Sequence, residues 1–384
     1  MSELDQLRAS IDEIDRQMVA LFEQRMAVTE QVGRYKQSVG MPVLDAGRER
    51  EVIEKKIQCL TNPDLKTDVS LLYHSMMAIS RRQQRMLVEE GGSEDYHRIE
   101  KAIQEVRQPV EHPRVVYQGE PGAYSEMAAI RFFGDDVEAK GLQQFHDVFA
   151  AIKDGKADYG VLPIENTSTG GIRQVYDLLS EYECYMVGEV TVKVTHCLMG
   201  LPGSRLEDIR TVYSHEQGLF QCEGFLSQYP DWKRIPQDDT AGSAKMVASG
   251  ENHTKAAICS KRSAELYGLE ILAEGINDNM ENTTRFVVVS PNMELREDRD
   301  KISACFCVPH QSGSLHEMLT IFAAHGLNLM RLESRPAQGH NFEYLFFVEF
   351  TGDLLAEEMS GILHELTQSA VSFRVFGNFA SNLE

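Results

Sequence analysis

The strongest constraint on this chain lies at its start. Apolar residues recur at Leu4, Leu7, Ile11, Ile14, Met18, Leu21, Val28, Val32 and Tyr35, in alternating steps of three and four with one gap. That spacing is a heptad seam on one long helix, running to about Val39 and stopped by Gly40 and Pro42. A helix of roughly 35 residues spans about 50 Å, more than two shorter helices can cover, so two copies are expected to pair into a dimeric bundle. Arg25 fills the gap in the seam. A guanidinium there is costly unless it meets an anion, either a protein carboxylate or a ligand. By the 3.6-residue repeat, Lys36 lies about 20° around the helix from Arg25, so the two cations share a face.

A similar pattern returns from Thr67, a candidate cap, to about Val88. Val69, Leu72, Tyr73, Met76 and Leu87 are apolar, while Ser80 and Gln84 occupy stripe positions one turn apart. Between these two segments a shorter helix opens with Asp45, Arg48 and Glu49 on one face. A single polar residue in a seam is ordinarily part of a buried network that fixes helix register. Two cations, a carboxylate and an amide together point instead to a small polar ligand held inside a helical bundle.

The set Arg8, Arg25, Lys36, Asp45, Arg48, Glu49, Ser80 and Gln84 resembles the all-helical chorismate mutases, in the form found at the front of bifunctional chorismate mutase–prephenate dehydratases. The resemblance covers residues 1–90 and implies an intertwined helical dimer. It further implies that Arg8 reaches into the partner subunit's site, that Arg25, Arg48 and Lys36 hold the two carboxylates of chorismate, and that Glu49 with Asp45 faces the ring hydroxyl. Lys36 and Gln84 would donate to the ether oxygen as the catalytic pair, with Ser80 beside them. Such a rearrangement transfers no proton and needs no cofactor; the protein clamps a reactive conformer and stabilises developing charge.

At 384 residues the chain has room for roughly two or three domains. No run approaches the ~18 apolar residues of a membrane span, and the start has no basic or apolar leader, so a soluble, unexported, cytoplasmic protein is expected. The formal charge of −21 disfavours nucleic acid and acidic membrane as partners. Seven scattered cysteines without a CxxC pair fit reduced thiols better than disulfides or zinc, and no metal-site spacing occurs. Cys305 and Cys307 would share one strand face as packing residues.

Residues 89–113 turn polar and read as a linker carrying one short helix, about 95–106. Residues 114–291 alternate strand-like runs (114–118, 159–164, 186–195, 211–214, 256–259 and 285–290) with helices, an α/β pattern with parallel sheets. The sharpest punctuation is DYGVLPIENTSTGG, residues 158–171, where an apolar run ends in Glu165, Asn166, Thr167, Ser168 and Thr169 before two glycines. Such strand ends floor ligand pockets in α/β sheets, although the same residues are also ordinary helix caps. Similar polar turns fall at 119–125, 214–221, 239–243 and 282–284. Neither GxGxxG nor GxxxxGK[ST] is present, which counts against nicotinamide or nucleotide chemistry.

The segments GEPGAYSEMAA, PIENTSTGG, YSHEQGLFQC, DTAGSA and NTTRF, in that order, resemble prephenate dehydratase. The resemblance implies a two-lobed α/β domain built like a periplasmic binding protein, with Thr284 as general acid toward the departing ring hydroxyl of prephenate. Glu165, Asn166, Thr167, Ser214 and Gln221 would line the pocket and Phe286 would pack against the ring. One departure is Glu216, where the family commonly has proline. His196 and His215 read as structural.

Residues 300–384 give the order strand, helix, strand, strand, helix, strand of a ferredoxin-like α+β module with no catalytic-looking residues. The segment resembles the ACT regulatory domain, and Glu333-Ser334-Arg335-Pro336 matches its phenylalanine motif. Gly313 and Leu315 in one turn, with Asn328, Leu329, Glu333 and Ser334 opposite, would bind L-phenylalanine as a feedback effector; Gly313-Ser314-Leu315-His316 departs from the usual Gly-Ala-Leu-Val. A non-catalytic organic-acid sensor could use the same cleft and module but would not need the cations of the helical bundle. A mutase fused to a dehydrogenase would need a dinucleotide loop.

Overall fold

A computed structural model describes residues 2–88, 92–311, 313–336 and 344–382. Its contacts group into two units, Met1–Lys101 with Ala304–Phe350 and Leu355–Arg374, and Ala102–Ser303 with Thr351–Leu354 and Val375–Glu384. Of the sequence expectations, residues 89–91 of the polar stretch, Ser312 of the effector turn and residues 342–343 of a late strand lie outside the described residues.

Helix α1 (Glu3–Val39) starts in a reciprocal capping box between Ser2 and Asp5 and ends at Gly40, whose φ of 67° is the left-handed turn expected there. Asp45 caps α2 (Ala46–Gln58) by accepting from the Arg48 backbone N–H. Helix α3 (Lys66–Val88) continues from a short turn, Pro63–Leu65, capped by Asn62. Thr67 therefore lies inside the first turn of α3 and does not cap it.

Helix α3 packs on both α1 and α2. The α1 surface turned inward carries Arg25, Thr29, Gly33 and Lys36, whereas all nine residues of the heptad seam are at least 42% exposed. Gly33 is what lets the helices close up. A Cβ there would stand 2.9 Å from Gln84 Cγ, so the usual cost of a mid-helix glycine is accepted for approach. Helix α4 (Glu94–Gln104), expected in the linker, is packed rather than free. Asp95 Oδ2 accepts from the Phe373 N–H at 2.8 Å, and the Tyr96 hydroxyl lies 2.8 Å from Ser360 Oγ.

Residues 114–290 form two sheets. The first comprises β1 (Arg114–Gln118), β2 (Glu138–Leu142), β3 (Tyr159–Asn166), β4 (Gly170–Gly171) and β5 (Tyr185–Lys193). The second comprises β6 (Cys197–Gly200), β7 (Thr211–His215), β8 (Lys233–Gln237), β9 (Lys255–Cys259) and β10 (Glu270–Glu274), after which β11 (Thr283–Ser290) returns to the first. Strand order is β2-β1-β3-β11-β5 in one and β10-β6-β9-β7-β8 in the other.

The sheets are mixed, not parallel as expected. Strands β1–β2, β1–β3, β7–β8 and β7–β9 pair in parallel, but β11 runs antiparallel to β3 and β5, and β6 antiparallel to β9 and β10. The chain crosses from the first sheet to the second after β5 and back before β11, so the returning strand enters against its neighbours. The strand expected at 186–195 is present as β5 and ends two residues earlier, at Lys193, where the chain crosses over. Strand β2, at a sheet edge and half exposed, lacks the apolar run that marks the central strands in the sequence, and edge strand β10 has only three apolar residues between two glutamates.

The last four strands, β12 (Lys301–Cys307), β13 (Leu329–Pro336), β14 (Tyr344–Thr351) and β15 (Ser372–Phe379), lie in the order β13-β14-β12-β15, with helices Ser314–Ala324 and Met359–Ser369 between them. This is the expected strand and helix sequence, and both Cys305 and Cys307 are buried.

One carboxylate is wholly enclosed. Glu189 on β5 accepts from Lys301 Nζ at 2.6 Å, Arg285 Nη1 at 2.9 Å and the Asn382 N–H at 2.9 Å. Burial alone would raise its pKa, but the two cations outweigh that and hold it below the ordinary value. Removing the carboxylate leaves two cations buried against each other. Glu189→Ala is predicted to lose about 3–5 kcal/mol of stability in urea unfolding, and an unchanged midpoint would contradict this account of the core.

Candidate active sites

Helices α1, α2 and α3 enclose a cavity of about 440 Å³. Arg25, Lys36, Asp45, Arg48, Glu49, Ser80 and Gln84 line it, seven of the eight residues expected there, with Val28, Val32, Val43 and Met77 as apolar wall. Arg8 is exposed on α1 and does not line it. Arg25 Nη1 donates to Ser80 Oγ at 2.6 Å, and Lys36 Nζ donates to the Val43 carbonyl at 2.5 Å. Neither cation has a carboxylate partner among the described residues, so both keep their charge for something else. Gln84 Oε1 is buried without a hydrogen-bond partner among those residues. Arg48 pairs with Glu51 at 2.8 Å on a largely exposed surface, and Asp45 is occupied in part as the α2 cap.

Sequence reasoning missed Arg81. Its guanidinium donates to Glu49 Oε2 and, at 2.8 Å, to Glu317 Oε2 on helix Ser314–Ala324. Burial works against its charge, but the two carboxylates more than compensate and raise its pKa. Nearby, Arg82 donates to Glu365 at 2.6 Å and Arg85 lies 3.5 Å from Glu317. The available signal was the cluster Arg81, Arg82 and Arg85 at the end of α3, which reads from sequence as a solvated face.

A second site forms where β3 ends and β11 begins. The backbone N–H groups of Ser168 and Thr169 donate to Asn166 Oδ1 at 2.9 and 3.2 Å, which fixes the orientation of that side chain. Its Nδ2 then donates to Thr284 Oγ1 at 2.8 Å and to Asn282 Oδ1 at 2.7 Å. The Thr284 oxygen is thus an acceptor, and its own hydrogen remains available to donate elsewhere. Thr167 Oγ1 accepts from the Thr283 N–H at 3.0 Å, and Glu165 reaches Arg285 Nε at 3.2 Å.

Gln221 lines an adjoining cavity of about 300 Å³ with Ser168, Phe220, Asn277, Asn279 and Asn282. Its Oε1 lies 3.0 Å from His196 Nε2. Burial lowers the His196 pKa and favours the neutral ring, so this histidine orients a candidate site residue as well as bracing the fold. His215 caps the helix Glu216–Phe220 through Nδ1.

Two expected pocket residues lie elsewhere. Ser214 is fully buried and donates to the Ile258 carbonyl at 2.7 Å, with Gly218 packed over it. Phe286 is 2% exposed and belongs to the core of the first sheet with Val190, Val288 and Ala128, so it braces β11 from behind. The turn at 119–125 was also expected to offer ligand groups. Instead it clasps the second sheet's lobe: the Gly122 carbonyl accepts from Ser260 Oγ at 2.7 Å and Ser263 Oγ at 3.0 Å, and Glu126 pairs with Arg262 at 2.7 Å. Only glycine suits position 122, with φ of 93° and Ser263 Oγ 2.7 Å from any Cβ.

In the last module Gly313, at φ 92°, caps helix Ser314–Ala324, and Leu315 lies on its first turn. Asn328 precedes β13, which carries Leu329, Glu333 and Ser334. Burial would raise the Glu333 pKa, but Arg331 and Arg335 outweigh it and lower it.

Comparison with known proteins shows the family. Residues 7–85 match the family chorismate mutase type II, and residues 115–294 match prephenate dehydratase. The bifunctional chorismate mutase/prephenate dehydratase of Escherichia coli (strain K12) is 32% identical over 381 residues, covering 98% of this chain and 95% of the relative. The chain belongs to the bifunctional chorismate mutase/prephenate dehydratases. It is therefore both an isomerase and a carbon–oxygen lyase of aromatic amino-acid biosynthesis. The prephenate dehydratase of Arthrobacter aurescens, solved with L-Phe, is 28% identical with a TM-score of 0.64, covering 70% of this chain and 90% of that one. GqqA, described as a novel type of quorum-quenching acylase, has the same TM-score at 31% identity and covers 70% of this chain and 98% of that one. A shared fold thus carries different chemistry, and residue roles must be argued from the sites. Among the described residues no helix is long and apolar enough to cross a membrane.

Arg81 is expected to act by fixing Glu49. Arg81→Ala should lower mutase kcat/KM by about tenfold, ~1.4 kcal/mol in transition-state stabilisation, with dehydratase kinetics unchanged and partial rescue by Arg81→Lys. Equal losses in both activities would mark the effect as general destabilisation.

Proposed function

We propose that the helical cavity binds chorismate and that Arg25, Arg48 and Lys36 neutralise its two carboxylates. What supports this is that Arg25 and Lys36 face the cavity with only neutral oxygen and sulfur partners, in a chain of net charge −21. As the C–O bond of the ether breaks, negative charge grows on its oxygen. Lys36 and Gln84 donate there and bind the transition state more strongly than the ground state. Glu49, with Asp45, meets the ring hydroxyl, and Ser80 sets the Arg25 fork.

A second copy of the chain covers the exposed seam of α1. An apolar stripe of this length is not left to water in a stable monomer. Arg8 lies 17 residues from Arg25, about 25 Å along the helix, so it serves the partner's cavity rather than its own. Seven free thiols suit a cytoplasmic enzyme.

In the dehydratase site Thr284 relays a proton to the departing ring hydroxyl, which leaves as water, and takes a replacement proton from solvent water. The ring carboxylate leaves as carbon dioxide, and its electron pair restores aromaticity in phenylpyruvate. Asn166 supports this by donating to the Thr284 oxygen, which leaves the threonine hydrogen pointing elsewhere. Glu165, Thr167 and Gln221 frame the pocket, while Ser214 and Phe286 hold its walls from behind. The last module is an ACT-type regulatory domain that binds L-phenylalanine between the Gly313–Leu315 turn and the segment bearing Asn328, Leu329, Glu333 and Ser334.

The two sites should separate under mutation. Lys36→Ala or Gln84→Ala should cut mutase kcat by about 10²-fold or more while supplied prephenate is still converted, and Thr284→Ala should do the reverse. Near-normal turnover of chorismate by both mutase variants would refute the cavity assignment. Millimolar L-phenylalanine should slow phenylpyruvate formation and release heat in calorimetry; no heat and no change in rate would exclude the effector site.

A further inference from the structure

We propose that Asn282 contacts substrate in the dehydratase site, its side-chain amide donating to a carboxylate or hydroxyl oxygen of the bound anion. This rests on the reading of the Thr284 site given above. The orientation of Asn282 follows from its neighbours. Backbone donors from Ser168 and Thr169 set Asn166 Oδ1, so Asn166 presents Nδ2, a pure donor, to Asn282. The facing Asn282 atom must be the acceptor Oδ1, which also takes the Ser168 hydroxyl at 3.2 Å. That leaves Asn282 Nδ2, in a side chain 1% exposed, as a buried donor without an acceptor among the described residues. Buried amides are rarely left unpaired, because nothing replaces the water they lose.

The unpaired donor also sits where an acceptor is needed. Asn282 lines the cavity shared with Gln221 and Ser168, and it is joined through Asn166 to the Thr284 oxygen. A ligand oxygen that reaches this amide, in a cavity also lined by the carboxylates of Glu223 and Asp278, meets a donor already locked in direction. The binding step therefore satisfies a donor and does not have to reorient one.

Asn282→Asp removes the donor, and the amide signal of the wild-type chain separates contact with the ligand from a purely structural role or from repulsion by the new charge. The carboxylate keeps both acceptor contacts, to Asn166 and Ser168, and at neutral pH cannot donate. The expected result is a loss of at least about 10²-fold in dehydratase kcat/KM with mutase kinetics unchanged. In the wild-type chain, the side-chain amide signal that vanishes in Asn282→Asp should move on saturation with phenylpyruvate. A kcat/KM within threefold of wild type, or an amide signal that does not move, overturns the proposal. Thr284→Ala run alongside tells the two failures apart. Loss of activity there with Asn282→Asp unaffected removes Asn282 and keeps the site, whereas full activity in Thr284→Ala removes the site itself.

Discussion

A carboxylate with no exposed surface survives at Glu189 only because two cations answer it, and much of the dehydratase half depends on that pairing. Glu189 belongs to β5, Arg285 to β11 and Lys301 to β12, so one enclosed charge fixes three strands at a common point. Arg285 also extends to Glu165 at the end of β3, opposite the side that meets Glu189. Thr284 is its immediate neighbour. The placement of the threonine oxygen is therefore inherited from a charged contact that water does not reach. Such a contact is poor value as net stabilisation but strongly penalises any alternative register. For the acid role proposed for Thr284, position counts more than pKa, and rigidity of this kind would serve it.

The mutase cavity uses the opposite arrangement. Where Glu189 is surrounded by cations that cancel it, Arg25 and Lys36 are surrounded by a hydroxyl, a carbonyl and sulfur atoms that do not. A strongly acidic chain thereby keeps two uncancelled cations in one cavity, the local positive potential that the proposed dianion would need. Glu49 would compromise that potential if it swung toward Arg25 or Lys36. Its engagement by Arg81 keeps the carboxylate to one side of the cavity, so Arg81 preserves the charge separation without adding a further free cation.

Residues with local signals were legible in sequence. The ends of α1, the strands beginning at Arg114, Thr211 and Tyr159, and seven of the eight cavity residues follow from spacing, capping and the cost of polar groups in apolar seams. What escaped depends on distant partners. Thr284 and Phe286 share a strand face by the two-residue repeat, and spacing cannot show that only Phe286 falls beneath the helix Tyr124–Phe133. The turn at 119–125 has the hydroxyls and glycines of a ligand loop, and only Ser260, Ser263 and Arg262, more than a hundred residues away, reveal it as a clasp. Asn282 was visible as part of a polar turn, but its unpaired amide emerges only after Asn166 has been oriented.

The heptad seam shows how a correct pattern can have an incomplete meaning. Gly33, Thr29, Arg25 and Lys36 pack α1 toward α3, while the seam stays largely exposed and only Val28 and Val32 of it reach the cavity wall. A helix that used its best apolar face inside its own chain would have no means of recruiting a second copy. Reversing the assignment turns the polar face toward α3, where Ser80 and Gln84 wait one turn apart. Helix α3 is held in turn by Glu317 and Glu365 of the last module through Arg81, Arg82 and Arg85. One guanidinium, that of Arg81, thus spans Glu317 on helix Ser314–Ala324 and Glu49 on α2.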